Sequence, residues 1–344
     1  MFKPKYTITD RLLANIKHIN TLVIELNDKR FSHVVFAQLE RSAREVSTYA
    51  STSIEGNPLP LTEVKRILKS RPSNIRNSER EVLNYNQALQ KLDKEIKETG
   101  TSLLLKLVLN IQKQVTSGLL PAIESGKIRQ KPVVVNDPRD GHVIYLPPDF
   151  KDVEKLTKEL ITFVNDNKGK VDPLLLAGVF HKQMVIIHPF MDGNGRTTRL
   201  ATKVLLAAMG LNTFNLFSFE NYYNKNVTRY FQTVGEFGNY YELVKKIDFT
   251  PWLEYFTEGI IDELLRVQKI LTELPLDPAS KLQLYHLKML EFIKKNGLIA
   301  DRDYAKLVDR AKATRTLDFQ KLMGLGLIER EGKGRATYYI LHVQ

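Results

Sequence analysis

Leu12, Leu13, Ile16, Ile19, Leu22 and Val23 recur at three- and four-residue steps and predict a one-sided helix over residues 8–26. The same spacing continues over 35–56, where Gly56 and the Asn57-Pro58 turn stop it. Shorter helices follow at 61–68 and 78–100, the latter opened by Ser78 with Glu81 three residues on, a capping-box pattern. A helix over 101–120 ends at Pro121. The period then changes: two β-branched runs, Val133–Val135 and Val143–Tyr145, flank Asn136, Asp137, Pro138 and the Asp140-Gly141 pair, which reads as a hairpin closed by Pro147-Pro148. Helices resume at 149–167, 173–187 and 197–209. The second of these is apolar nearly all round and is expected to be the buried central helix. Three more helical stretches run to about Leu274, and Pro275 and Pro278 mark a linker. The last 65 residues or so read as helices at 281–295, 302–308 and 314–323, then strand, Gly-Lys-Gly turn and strand. That order is the outline of a winged helix-turn-helix.

The expected protein is mainly α-helical, in three parts: an N-terminal helical region (1–100), a core with a β-hairpin (101–274) and a winged-helix domain (280–344). Its 344 residues, 43% hydrophobic and 26% charged, suit a globular chain rather than a disordered or fibrous one. No apolar run reaches the ~18–20 residues of a bilayer span. The start, MFKPKYTITD, lacks the apolar core of a signal peptide, so a cytoplasmic protein without membrane contact is expected. With no cysteine, disulfides, thiolate nucleophiles and Cys-ligated zinc are excluded. The net charge of +12 points to anionic partners, and residues 281–344 alone carry 13 Lys/Arg against 7 Asp/Glu.

The segment from Ile187 to Arg199, IHPFMDGNGRTTR, carries the chemistry. Pro189 biases His188 away from the helical region, so the central helix should end there with the imidazole projecting from its last turn. Gly193 and Gly195 permit the positive φ angles of an anion-binding nest, and the next helix adds its N-terminal N–H groups. Arg196 and Arg199, three apart, share a face suited to phosphate. Asp192 beside such a nest calls for a cation, and a carboxylate next to phosphates is how Mg²⁺ is usually held. His188 is a base that titrates near neutral pH. Taken singly, these features are a helix cap, a turn and surface charge. Together, in order, they describe phosphoryl or nucleotidyl transfer. Neither a P-loop nor an HExxH motif occurs, and His181 with His188 lacks a third zinc ligand.

The segment matches the signature of the Fic family, HPF-x-[DE]-GNGR-xx-R, without a departure, and the resemblance extends over roughly 101–239. It implies a protein adenylyltransferase that moves AMP from ATP to a Ser, Thr or Tyr hydroxyl of a protein, releasing pyrophosphate. His188 would be the base and Asp192 the Mg²⁺ ligand. The Gly193-Asn194-Gly195 backbone with the Asn194 side chain would hold the α-phosphate, and Arg196 and Arg199 the β- and γ-phosphates. The hairpin, at Val143, Ile144 and Tyr145, resembles the family flap that aligns a target segment by β-augmentation. Tyr230 and Phe231 resemble the segment that packs on adenine. Ser51 to Gly56 fits the family's inhibitory pattern [ST]-xxx-E-[GN], which implies that Glu55 restrains the site through Arg199. The same resemblance implies a rival, removal of AMP from a modified protein; the basic winged-helix tail offers another, a DNA-binding regulator whose core senses nucleotide. Lys312, Arg315, Lys321, Arg330, Lys333 and Arg335 would meet DNA in the latter, though six Asp and Glu interleave with them. A protein target, the chain itself included, is expected as partner, and a homodimer is left open.

Overall fold

The structure is a computed structural model that describes residues 2–27, 33–72, 74–99, 103–137, 141–207, 218–273, 282–332 and 334–342. Contacts divide the chain into a main body, residues 1–27 with 37–271, and a C-terminal unit that contains 272–344.

In the main body, α1 (Asp10–Asn27), α2 (His33–Ile54), α3 (Leu61–Lys69), α4 (Asn77–Thr99) and α5 (Leu105–Val115) precede a small sheet. Then come α6 (Phe150–Asn167), α7 (Pro173–Ile187), α8 (Asn194–Ala207), α9 (Phe219–Lys225), α10 (Val227–Val234), the single turn α11 (Tyr240–Leu243) and α12 (Thr250–Glu273). The central position of α7 follows from its composition. Thirteen of its fifteen residues are buried, because no stripe on it is polar enough to face water. Asp172 caps it by accepting from the Leu174 N–H at 2.8 Å, with Pro173 at the first helical position. Around α7 and α8, apolar residues of α4, α5 and α6 (Tyr85, Leu89, Val108, Ile111, Leu160) close one core with Phe180, Met184 and Leu200. On another side α12 crosses α7 at Gly178. A Cβ there would meet Leu253 at 2.6 Å, and the Gly178 carbonyl accepts from the Trp252 indole at 2.8 Å.

Two expectations about local structure are corrected and one strand is unforeseen. The hairpin's first strand, β1, is Val135–Asn136 rather than Val133–Val135; it pairs antiparallel with β2 (Val143–Leu146) through an irregular register. A third strand, β3 (Gly238–Asn239), runs parallel to β2, pairing Tyr145 with Gly238 and Leu146 with Asn239. No propensity in Gly-Asn announces such a strand. The capping box also fails: α4 starts at Asn77, Glu79 accepts from the Arg76 backbone N–H at 2.9 Å, and Glu81 is left to point elsewhere.

The C-terminal unit packs α13 (Leu284–Asn296), α14 (Asp301–Leu307) and α15 (Lys312–Gly324) with the antiparallel pair β4 (Ile328–Glu331) and β5 (Tyr338–Leu341). Ile299 bridges to Tyr339, so the α13–α14 connection extends the hairpin on its β5 side. Phe319 and Tyr339 stack at 4.0 Å over a core with Met289, Ile293 and Tyr304. Beneath α15, buried Asp318 accepts from Tyr304 Oη at 2.9 Å and from both ends of the Arg310 guanidinium at 2.9 and 3.1 Å. Among the described residues no helix is long and apolar enough to cross a membrane. The linker expected at 275–280 lies outside the described residues.

Candidate functional site: an anion-binding loop closed by a carboxylate

α7 ends as Pro189 requires. His188 is its C-terminal cap, in the left-handed region at φ 50°, ψ 61°, the one non-glycine described with positive φ. Its imidazole Nδ1 faces the Val185 carbonyl at 3.3 Å, which leaves Nε2 outward. Burial pushes the His188 pKa below the ordinary histidine value. The positive charge of Arg129 acts the same way, while the Val185 carbonyl, Glu55 and Asp192 oppose it.

The loop that follows is held by Asn194. Its amide oxygen accepts from the Phe190 N–H and its amide nitrogen donates to the Phe190 carbonyl, both at 2.9 Å. The side chain therefore clamps the loop, and the second hydrogen of its amide nitrogen is left over. The two glycines also differ. Gly193 has φ +79°, and a Cβ there would meet the Thr116 methyl at 2.9 Å. Gly195 is helical, not part of a positive-φ nest, because α8 begins at Asn194, three residues earlier than its apolar spacing predicts. A side chain at 195 would press on the carboxylate of Glu55, which would then have to shift. The first turn of a helix leaves N–H groups without intrahelical partners, and here that turn also carries two buried hydroxyls, Thr197 and Thr198, with no hydrogen-bond partner.

Both arginines are buried and both are held by carboxylates. Arg199, fully buried, donates from Nη2 to Glu55 Oε1 at 2.7 Å and to the Ser51 carbonyl at 2.9 Å, and from Nε to Ser51 Oγ at 2.8 Å. Ser51 and Glu55 lie one helical turn apart at the end of α2, so the inhibitory pattern and the second arginine of the motif are in direct contact. Burial works to lower the Arg199 pKa, but the Glu55 charge, the Tyr230 and Tyr85 hydroxyls and the hydrogen bond to Glu55 together hold it above the ordinary arginine value. Arg196 is paired with Asp192 at 2.9 Å and with Glu81 at 2.7 Å. Sequence reasoning misses Glu81, reading it as half of a helix cap. Its other oxygen accepts from Asn57 Nδ2 at 2.7 Å, just past the end of α2, and burial pushes its pKa up.

The two rings expected on the adenine side touch, with centroids 5.2 Å apart, but differ in burial. Tyr230 is buried and stacks on Tyr223 at 4.6 Å, and its hydroxyl lies 3.1 Å from His181 Nε2. Thr202 Oγ1 donates to the Thr198 carbonyl and so accepts from His181 Nδ1–H, which makes Nε2 an acceptor for Tyr230. Tyr230 is therefore held within the fold, whereas Phe231 is 37% exposed. In the sheet, Val143 is exposed and Ile144 half-buried, whereas Tyr145 points inward and donates to the Ile186 carbonyl at 3.0 Å. In the C-terminal unit, Arg315 is bound at both ends by Asp301, at 2.8 and 2.9 Å, and is not free for DNA. Lys333 and the Arg335 side chain lie outside the described residues.

This arrangement defines a class: helical proteins whose central helix delivers a histidine to a glycine loop opening a second helix. Residues 102–206 match the Fic/DOC family model. It is 29% identical over 217 residues to the protein adenylyltransferase Fic of Aedes aegypti, which covers 58% of this chain and 42% of that protein. To the enzyme of the same name from Drosophila grimshawi it is 30% identical over 199 residues, 55% of this chain and 39% of the other. The chain thus spans about two-fifths of the length of the curated relatives it matches. The fold is that of solved Fic proteins. A Fic family protein from Desulfovibrio desulfuricans superposes over 99% of this chain and 98% of its own, with TM-score 0.64 and 19% identity. Fic-1 of Caenorhabditis elegans covers 76% of this chain and 73% of its own, with TM-score 0.60 and 21% identity.

Proposed function

We propose that the chain transfers AMP from ATP to a hydroxyl group of a protein, and that Glu55 restrains it. The observation that supports this most is the convergence, within twelve residues, of an imidazole kept neutral by burial, an open helix N-terminus at α8 and two buried arginines. As the target oxygen bonds to the α-phosphorus, its proton passes to His188. The bond between the α-phosphorus and the bridging oxygen breaks, and pyrophosphate leaves with the electron pair. Backbone N–H groups of the loop face the charge that develops, and Arg196 and Arg199 hold the departing phosphates. Mg²⁺ fits this site through Asp192, a half-exposed carboxylate at the loop; one carboxylate plus substrate oxygens is an ordinary donor set for that ion. When bound, it would neutralise phosphate charge. With ATP labelled at either phosphate, label is expected in protein from the α- but not the γ-position; γ-label in protein would instead mean phosphate transfer.

The neutral His188 sets the pH dependence. A base with a depressed pKa stays proton-free at pH 7 and is lost only as pH falls through that lowered value. In the Glu55→Gly form the acid limb of transfer is therefore expected below the ordinary ~6.5. A midpoint above 7 would contradict the assignment of base and environment together.

Removal of AMP from a modified hydroxyl uses the same residues, with Glu55 available to hold the attacking water; release of AMP from a modified target would favour it. We further propose that the C-terminal unit is a winged-helix module. The outer face of α15 carries exposed Lys312, Thr316, Leu317, Gln320 and Lys321. If this face meets duplex DNA, Lys312→Glu with Lys321→Glu is expected to lower affinity and to flatten its salt slope by about 0.9 for each phosphate no longer neutralised. No retention of the wild-type chain on duplex DNA at low salt would leave α15 as a protein-docking or purely structural element.

A further inference from the structure

Arg129 sits in the segment between α5 and β1, where nothing in the sequence distinguishes it from the basic residues around it. It is 2% exposed, and no carboxylate lies within ion-pair distance among the described residues. Asp149 acts on it only at longer range, burial lowers its pKa, and the guanidinium is sustained chiefly by its hydrogen-bond acceptors. Here every acceptor is a backbone carbonyl. Nε donates to His188 at 2.8 Å, Nη1 to Lys131 at 3.1 Å and Nη2 to Pro148 at 2.6 Å. The backbone N–H of Arg129 itself donates to Pro189 at 3.0 Å.

These acceptors fall in two places. His188 and Pro189 are consecutive residues of the turn that presents the imidazole, and His188 is in the left-handed conformation that a side chain ordinarily avoids. Lys131 and Pro148 bracket the hairpin: one precedes β1 and the other follows β2. We propose that Arg129 is a positioning residue that fixes the hairpin and the His188 turn to one another. This rests on the transfer reaction proposed above. The strand along which a target segment would lie and the base that would take its proton are then referenced to a single rigid fork. Their separation is set before the target binds, which is where positional gain in a bimolecular transfer arises. Lysine cannot replace this fork, because one ammonium on a flexible stem reaches the turn or the hairpin but not both.

The test uses full-length protein carrying Glu55→Gly, so that transfer is measurable. In that background Arg129→Lys is expected to lower kcat by about 10- to 100-fold while KM for ATP stays within about threefold. Added to His188→Ala, the same substitution should cost no further rate, because it acts through the base. An unchanged kcat in a folded variant, or an equal loss with and without His188, would overturn the proposal. Hydrogen exchange supplies a readout independent of catalysis, and it stands even if the chain transfers no AMP. Arg129→Lys should speed exchange in residues 188–194 and 142–146 together. Should the variant fail to fold, the wild-type chain answers: the Arg129 Nε–H and backbone N–H should open together with the amides of 143–146. Exchange of the Arg129 protons independent of the hairpin would refute the tie.

Discussion

Replacing Glu55 with glycine is expected to raise the rate of AMP transfer by about 10- to 100-fold. The magnitude follows from the ion pair that the substitution removes. A hydrogen bond between charged partners is worth about 1.5–3 kcal/mol, and each 1.4 kcal/mol is a factor of ten. Glu55 occupies Arg199 at 2.7 Å and overlies Gly195, so it both engages the arginine proposed to hold phosphate and places negative charge against the loop. ATP bound in its presence would carry its terminal phosphates off line, with the α-phosphorus poorly placed for attack. Arg199→Ala breaks the same pair but is expected to leave transfer low, because the phosphate ligand disappears with it. That asymmetry distinguishes restraint from mere loosening of α2. Unchanged or lower transfer in Glu55→Gly, measured as self-labelling by α-labelled ATP, would remove Glu55 from the proposed regulation.

His188→Ala is expected to have the largest effect: transfer falls about 10²- to 10⁴-fold, the range for loss of general-base assistance. ATP binding should persist, since the loop is closed by Asn194 and Phe190, and the arginines sit on α8, none of them leaning on the imidazole. Alanine also relieves no clash, so the left-handed backbone at 188 should be kept by its hydrogen bond to Arg129. Equilibrium binding of a non-hydrolysable ATP analogue within about threefold of wild type, beside the abolished transfer, is the result to look for. Loss of both would mean that His188 shapes the phosphate site rather than accepting a proton.

How far the sequence foretells this depends on the range over which each feature is encoded. The loop from His188 to Arg199 is legible because its parts are neighbours in the chain: proline, glycines and charges act on the same few residues. The buried α7 is legible because its apolar residues leave no polar stripe. Interactions that close over long separations are not. Glu81 reads as half of a capping box with Ser78, yet α4 begins earlier, and the freed carboxylate reaches Arg196 across the fold. Gly195 reads as a flexible position, whereas its lack of a side chain makes room for Glu55. Asn194 reads as a phosphate ligand because amides suit phosphate, and only the folded loop shows that it also clamps Phe190. Tyr230 and Phe231 are adjacent in sequence and their rings touch, yet helical geometry turns one into the core and leaves the other partly exposed. In the C-terminal unit the basic residues are numerous, but Arg310 and Arg315 are neutralised by Asp318 and Asp301.

The most direct measurement is the intact mass of the Glu55→Gly chain, and of the proteins of a lysate, after incubation with ATP and Mg²⁺. The expected result is a gain equal to one adenylate on a hydroxyl-bearing residue, abolished when His188→Ala is added. A gain equal to phosphate, or no gain in any protein while ATP binds normally, would contradict adenylyl transfer.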